Sequence, residues 1–279
     1  MRRIPTIAII AVGRSGTNHF VSTLRKLQGS ACYYELFSEH GVFGIMDYPD
    51  IAERLSEYVQ HTIRVAEDPD LVAKFKERPA LLLNLMNHAV MQAGYEWMAY
   101  KVFPNQVDVH KLKVSLKEDL TGMLFLTRTR LDTYISLQKA LAKGEWLNVE
   151  TSDLRPALNA NAFLNWADEQ NAWYEELYAF ARDEGRPFTV VNYDTDNNVP
   201  QRQLLQTCQS VAAALGIDAD VSETAKHGEE FTKQDKTASP FDRISNGDEF
   251  KAKLASLGGL DFALSAPLAD YSEGLRAAG

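Results

Sequence analysis

The chain has 279 residues, 45% hydrophobic and 24% charged, enough for one large α/β domain or two small ones with a core that needs no staples. A formal net charge of −9 speaks against wholesale binding of nucleic acid or acidic membrane, so any anionic ligand must be met by a local cluster of Arg and Lys. Two cysteines, Cys32 and Cys208, make no disulfide framework and point to a reducing compartment.

Met1-Arg2-Arg3 and the apolar residues after it imitate a signal peptide. The apolar run is short, however, opens at Pro5 and leads straight into a glycine loop, so it reads as the first core strand. No stretch approaches the ~20 apolar residues of a membrane span. The chain is therefore expected to be soluble and cytoplasmic.

Ile7–Leu24 reads as strand, tight loop, helix, with Gly13-Arg14-Ser15-Gly16-Thr17 as the loop and Phe20, Val21 and Leu24 on one helical face. Such a loop suits an anion. Glycines allow close backbone approach, and the first N–H groups of a helix lack internal partners. Ser15 and Thr17 add hydroxyls, and Arg14 a forked cation. A turn without a ligand is the plain alternative. G-x-x-x-x-G-K-[ST] is absent, and without its lysine ordinary ATP or GTP hydrolysis is disfavoured.

A first helix over about Asn18–Gln28 is followed by an aromatic strand, Ala31–Phe37, ending near Glu35. Ser38–Tyr48, with Gly41 and Gly44, reads as a loop. Helices are predicted at about Ile51–Ala66, Asp70–Glu77 and Pro79–Ala93, with Pro69 and Pro79 suited to first turns. Trp97–Phe103 is a short strand closed by Pro104, and Gln106–Val114 a helix. Gly122–Thr127 is a buried strand followed by Arg128-Thr129-Arg130 and a helix to about Ala142. Gly144–Pro156 is a polar loop. Ala157–Glu184 is a long helix whose aromatics read as core. Phe188–Tyr193 is another strand, Pro200–Leu215 a helix, Lys226–Asn246 largely irregular, and Asp248–Leu257 a last short helix.

Strands alternating with helices mean an α/β fold with a mostly parallel sheet covered on both faces. Ligands in such sheets sit at the carboxyl ends of the strands. Arg14 marks one such end and Arg128 with Arg130 another. Ser136 follows Arg128 by eight residues, a little over two helical turns, so the two meet one ligand only if the first residues are loop. The alternative is a surface arginine and a solvated serine.

Taken together, Arg14-Ser15-Gly16-Thr17-Asn18 and Arg128, Asp132 and Ser136 resemble the two phosphate motifs of sulfotransferases that use 3′-phosphoadenosine 5′-phosphosulfate (PAPS). That family carries (K/R)-S-G-T/S-T on the 5′-phosphosulfate and R-x-x-x-D-x-x-x-S on the 3′-phosphate. The loop arginine is similar to the carbohydrate and bacterial branch. Tyr34–Phe37, Tyr100–Gln106, Val191–Asp194, Thr232–Gln234 and Asp242–Glu249 resemble further segments of the bacterial glycolipid enzymes, so the likeness spans about residues 4–255. Asn18 stands where the family loop has a second Thr or Ser, and no G-x-x-G-x-x-K segment is present.

The resemblance implies a single domain over residues 1–279 with a three-layer, P-loop-like fold, and residues 218–279 as an extension over the nucleotide site. It implies a PAPS site formed by Arg14, Ser15, Gly16, Thr17, Asn18, Arg128, Ser136, Lys233 and Gln234. It makes Glu35 the base that takes the acceptor's proton, with Arg14 and Lys101 as the other catalytic residues. Sulfuryl transfer is an in-line displacement resting on positioning and charge stabilisation, and it requires no metal. The six histidines are scattered without metal-ligand spacing; His19, His40, His88 and His110 are weaker base candidates. The acceptor is expected to be a sugar, glycolipid or small alcohol, shaped by Ser38–Tyr48, Leu81–Gly94 and Gly144–Pro156, and a homodimer is one assembly open to the chain. A P-loop-like nucleotide kinase and a non-catalytic nucleotide-binding protein are the alternatives.

Overall fold

The structure, a computed structural model, describes residues 3–118, 121–144, 153–222 and 239–271. Its centre is a sheet of five parallel strands in the order β2-β3-β1-β4-β5. These are β1 (Thr6–Ala11), β2 (Ser30–Glu35), β3 (Trp97–Val102), β4 (Thr121–Thr127) and β5 (Phe188–Asn192). β1 lies between β3 and β4 and is buried along its whole length. Its side chains alternate: Ala8, Ile10 and Val12 enter one core cluster, Ile7, Ile9 and Ala11 the other. A continuous apolar run is what a parallel strand covered on both faces requires.

The layer on the first face contains α2 (Pro49–Val59), α3 (Pro69–Glu77), α4 (Pro79–Gln92), α5 (Val109–Glu118) and part of α7 (Ala160–Asp183). α1 (Thr17–Leu24) and α8 (Gln201–Ala214) cover the other. The expected three-layer α/β arrangement is therefore observed, with every strand parallel. A third cluster joins α6 (Arg130–Lys143) and α7 to the C-terminal helices α9 (Gly247–Ser256) and α10 (Leu260–Leu264) through Leu131, Ile135, Phe163, Phe250, Leu254 and Ala263. The aromatics of α7 are core: Phe163 and Tyr174 are fully buried, and Trp166, Trp173 and Tyr178 pack against the clusters.

Four helices depart from their predicted spans by three residues or more: α1, α2, α5 and α7, the last starting at Ala160 rather than Ala157. α1 stops at Leu24 because the backbone ladder tightens there to three-residue turns, with the Lys26 N–H donating to the Thr23 carbonyl and the Leu27 N–H to the Leu24 carbonyl, both at 3.0 Å. α2 stops at Val59 because Gln60 takes a left-handed backbone with φ 52°. α5 starts three residues later than expected. Asn105, at φ 65°, turns the chain, and the Asp108 carboxylate accepts from the Lys111 N–H at 3.0 Å in the manner of an N-cap. No described helix is long and apolar enough to cross a membrane.

The connection leaving β1 runs to β2 at one edge of the sheet, and that leaving β4 runs to β5 at the other. The crevice between the carboxyl ends of β1 and β4 is thus where the strand order reverses, the usual ligand position in an open α/β sheet. The two strands pair as far as Ala11 opposite Leu126. Beyond that point the Tyr174 hydroxyl bridges them, accepting from the Val12 N–H at 3.0 Å and donating to the Leu126 carbonyl at 2.8 Å. The strands can separate there without orphaning buried backbone groups.

Candidate active site

The loop after β1 is bent by left-handed backbone at Arg14, φ 73°, and at Gly16, φ 80°. Gly16 suits that conformation; Arg14 occupies it at a cost of about 1–2 kcal/mol. Ser15 is buried, and its hydroxyl donates to the Val12 carbonyl at 2.7 Å, which ties the bend shut. Outside the bend, the Asn197 amide donates to the Gly16 carbonyl at 3.1 Å. A Cβ on Gly16 would overlap the Tyr193 ring and crowd that amide. The chain enters α1 at Thr17, so the loop delivers the free N–H groups and positive dipole end of a helix to the crevice.

The second arginine motif reaches the same place. α6 begins at Arg130, so Arg128 and Thr129 precede the helix, and the eight-residue separation from Ser136 is no obstacle. The Arg14 Nε donates to the Ser136 hydroxyl at 3.0 Å, and an Arg128 Nη1 donates to the Arg14 carbonyl at 2.9 Å. The Arg128 guanidinium lies 4.5 Å from the Tyr193 ring centre, and its Nε is buried with no hydrogen-bond partner among the described residues. Burial, and then the Arg128 charge beside it, push the Arg14 pKa down. Two guanidiniums held this close in a partly buried crevice would be relieved by an anion. Asp194, just past β5, fixes the loop after β4, accepting from the Thr129 N–H at 3.2 Å and its hydroxyl at 2.8 Å.

On the other side of β1, β2 and β3 supply a carboxylate and an ammonium. The Lys101 Nζ lies 3.1 Å from a Glu35 oxygen, with the lysine side chain 2% exposed and the glutamate 25%. Lys101 also donates to Asn18 Oδ1 and, at 3.4 Å, to the Thr17 hydroxyl. The Tyr34 and Phe103 ring centres lie 5.3 Å and 5.0 Å from its ammonium. Desolvation pushes the Lys101 pKa down, and Glu35 opposes that shift. The pairing depends on an irregularity: Cys32 stands opposite Ala99, but Glu35, not Tyr34, stands opposite Lys101. One extra residue in β2 re-aims the side chains that follow. The Ser38–Tyr48 segment folds back along β2, with the Tyr34 N–H donating to the Phe43 carbonyl and the Phe43 N–H to the Glu35 carbonyl, both at 3.1 Å.

Arg14, Ser15, Gly16, Thr17, Asn18, Glu35, Lys101, Arg128 and Ser136 are therefore brought to one end of the sheet. Lys233 and Gln234 lie outside the described residues, as does most of the Gly144–Pro156 loop. Asn18 turns its amide oxygen to Lys101. Arg130 points away from the crevice: it is buried, donates to the Ser265 carbonyl at 3.0 Å and to Asn171, and lies 4.1 Å from the Phe262 ring centre. Asp132 forms an ion pair with the buried Arg243. Asn87 on α4 holds Ile4 by both main-chain groups, which sets the middle of that helix at the opposite end of β1 from Arg14.

Among the described histidines, only His19 lies by the loop, in the first turn of α1, where burial lowers its pKa and a hydrogen bond with Gln201 opposes the shift. His40 is 80% exposed, and His88 stacks on Tyr58. No group of three His, Cys, Asp or Glu able to hold a metal ion occurs among the described residues. A groove of about 430 Å³ over α4 and α5, lined by Arg78, Leu81, Asn84, His110 and Lys111, shares no residue with the crevice. Sequence reasoning assigned no part to Gln106, Tyr193 or Asn197. Gln106 and Tyr193 stood in quoted segments without a role, and Asn197 carries no signal, since its place depends on the π-helical turn Tyr193–Asn197.

No family model matches the chain, and no curated protein matches it. Among solved structures it is similar to a sulfotransferase domain from the Synechococcus PCC 7002 olefin synthase. The identity is 12% and the TM-score 0.42, over 91% of this chain and 95% of that one.

Proposed function

We propose that this chain is a PAPS-dependent sulfotransferase that moves a sulfuryl group to a hydroxyl of a carbohydrate, glycolipid or small alcohol. The observation that carries the reading is the meeting of the two arginine motifs at 3.0 Å, across the crevice where the sheet order reverses. Loop, helix N-terminus and Arg14 form one anion cradle; Arg128, whose Nε has no partner among the described residues, and Ser136 form another beside it. A ligand with two separated phosphate groups fits that donor set.

In this reading Arg14 and the Ser15, Gly16, Thr17 and Asn18 segment hold the 5′ end of PAPS, and Arg128 and Ser136 hold the 3′-phosphate. Lys233 and Gln234 belong to the proposed set from outside the described residues. PAPS supplies the sulfuryl group and a phosphate as its leaving group. The chain supplies charge and orientation: Arg14, Thr17 and the α1 amides stand where negative charge would develop, and Lys101 adds a buried cation. Glu35 accepts the acceptor's proton, held against Lys101 at 3.1 Å. In this reading residues 1–279 are one cytoplasmic domain and 218–279 its extension over the nucleotide site; among the described residues of that extension, Arg243 pairs with Asp132, four residues after Arg128, which supports it.

Calorimetric titration with adenosine 3′,5′-bisphosphate (PAP) tests the reading. Arg128→Ala is expected to weaken binding by about 10–100-fold, the worth of a charge-assisted hydrogen bond of about 1.5–3 kcal/mol. Ser136→Ala is expected to weaken it by about 5-fold, the worth of a neutral one of about 1 kcal/mol. Equal affinity in the wild type and both variants would overturn the nucleotide site.

A further inference from the structure

We infer that Gln106 is a positioning residue that fixes the Glu35 carboxylate in its working orientation; the inference rests on the reading of Glu35 as the base. The Gln106 Nε2 donates to Glu35 Oε2 at 2.8 Å. Its Oε1 accepts from the Phe103 N–H at 2.9 Å. The second bond settles the first: a backbone N–H can only donate, so the amide oxygen must face Phe103 and the amide nitrogen must face Glu35. The turn that makes this possible is tight. Asn105 has φ 65°, and the Gln106 N–H reaches the Phe103 carbonyl at 3.4 Å, which folds the glutamine back over the end of β3.

Glu35 is thereby gripped at both oxygens, by Lys101 on Oε1 at 3.1 Å and by Gln106 on Oε2 at 2.8 Å. Its backbone carbonyl is held as well, by the Phe43 N–H at 3.1 Å. Two donors from separate directions set the plane of the carboxylate and leave its remaining lone pairs to a hydroxyl. With Lys101 alone the carboxylate could rotate about its own bond. Gln106 touches no reacting atom; it acts through Glu35.

The test separates orientation from mere support of the fold. Gln106→Glu keeps an oxygen for the Phe103 N–H but replaces the Nε2 donor with a second oxygen; Gln106→Met removes both. PAP release from PAPS is followed with water and then glycerol as acceptor, in wild-type and Glu35→Gln backgrounds, and PAP affinity is measured alongside. Gln106→Glu is expected to lower kcat by about 10–100-fold, the scale of a misplaced catalytic group, with PAP affinity and unfolding midpoint unchanged. In the Glu35→Gln background it is expected to lower kcat no further, because both changes remove one function. The side-chain amide signals of Gln106 in a ¹⁵N–¹H spectrum are expected to move on Glu35→Gln. Full activity of Gln106→Glu, additive losses in the double variant, or an unmoved Gln106 signal would each overturn the inference and leave the base reading standing. Full turnover by Glu35→Gln would instead overturn the base reading, and this inference with it.

Discussion

Gly16 shows how much one residue decides at this site. It combines a left-handed backbone with a ring and an amide packed where a Cβ would go. Gly144, also left-handed at φ 72°, has no neighbour among the described residues within 4 Å of where its Cβ would stand. Gly144→Ala is therefore expected to cost only the conformational penalty, about 1 kcal/mol. Gly16→Ala adds overpacking against Tyr193 and is expected to cost about 2–4 kcal/mol. Urea midpoints of the two variants check this, and PAP affinity should fall only for Gly16→Ala. The same residue was legible in sequence as part of an anion loop. Tyr193 and Asn197, which make glycine obligatory there, were not, because they arrive from the end of β5 through a turn with no sequence signature.

At the scale of elements, α6 is the joint between the site and the C-terminal helices. Arg128 stands just before its N-terminus, and its first residue is Arg130, which holds α10 and the residue after it. Burial depresses the Arg130 pKa to about 10, with Glu175 and Asp168 opposing the shift. The Ser265 carbonyl and hydroxyl, Asn171 and the Phe262 ring all depend on this one side chain. Arg130→Met is expected to cost about 2–3 kcal/mol, the worth of hydrogen bonds to a charged group in a largely buried place. Hydrogen exchange should quicken across Leu260–Leu264 and leave β1 unchanged. Arg128 and Arg130, two residues apart, look alike in sequence. The start of α6 between them sends one to the crevice and the other into the core. Helix α5 carries a similar lesson: Gln106 reads as a first-turn residue, yet its side chain is taken up by Phe103 and Glu35 before the helix begins.

Across the whole molecule, the sheet order gathers charge that the chain scatters. β2, β3, β1 and β4 are spatial neighbours, and their carboxyl ends carry Glu35, Lys101, Arg14 and Arg128 in turn. Both cysteines are buried in the layer behind this row, among the residues of α1, α8 and the sheet. Burial pushes the Cys32 thiol up to about 12 and raises that of Cys208 well above its ordinary range. Neither is a thiolate near neutrality, so maleimide at pH 8 is expected to leave the native protein unlabelled and to label both cysteines in denaturant. Labelling of the native protein would show that this layer opens.

The sequence by itself determined the alternation of strands and helices, the buried central strands, and the two arginine motifs with their place at strand ends. These follow from local periodicity and from residue chemistry a few positions apart, which a linear pattern records. Only the tertiary structure decided which strand ends are neighbours, that Arg14 reaches Ser136, and that Glu35 faces Lys101. The last depends on one extra residue in β2, without which Tyr34 would stand in that place. Strand order and register are set by the packing of both faces and by contacts between residues tens of positions apart, and no local pattern carries them.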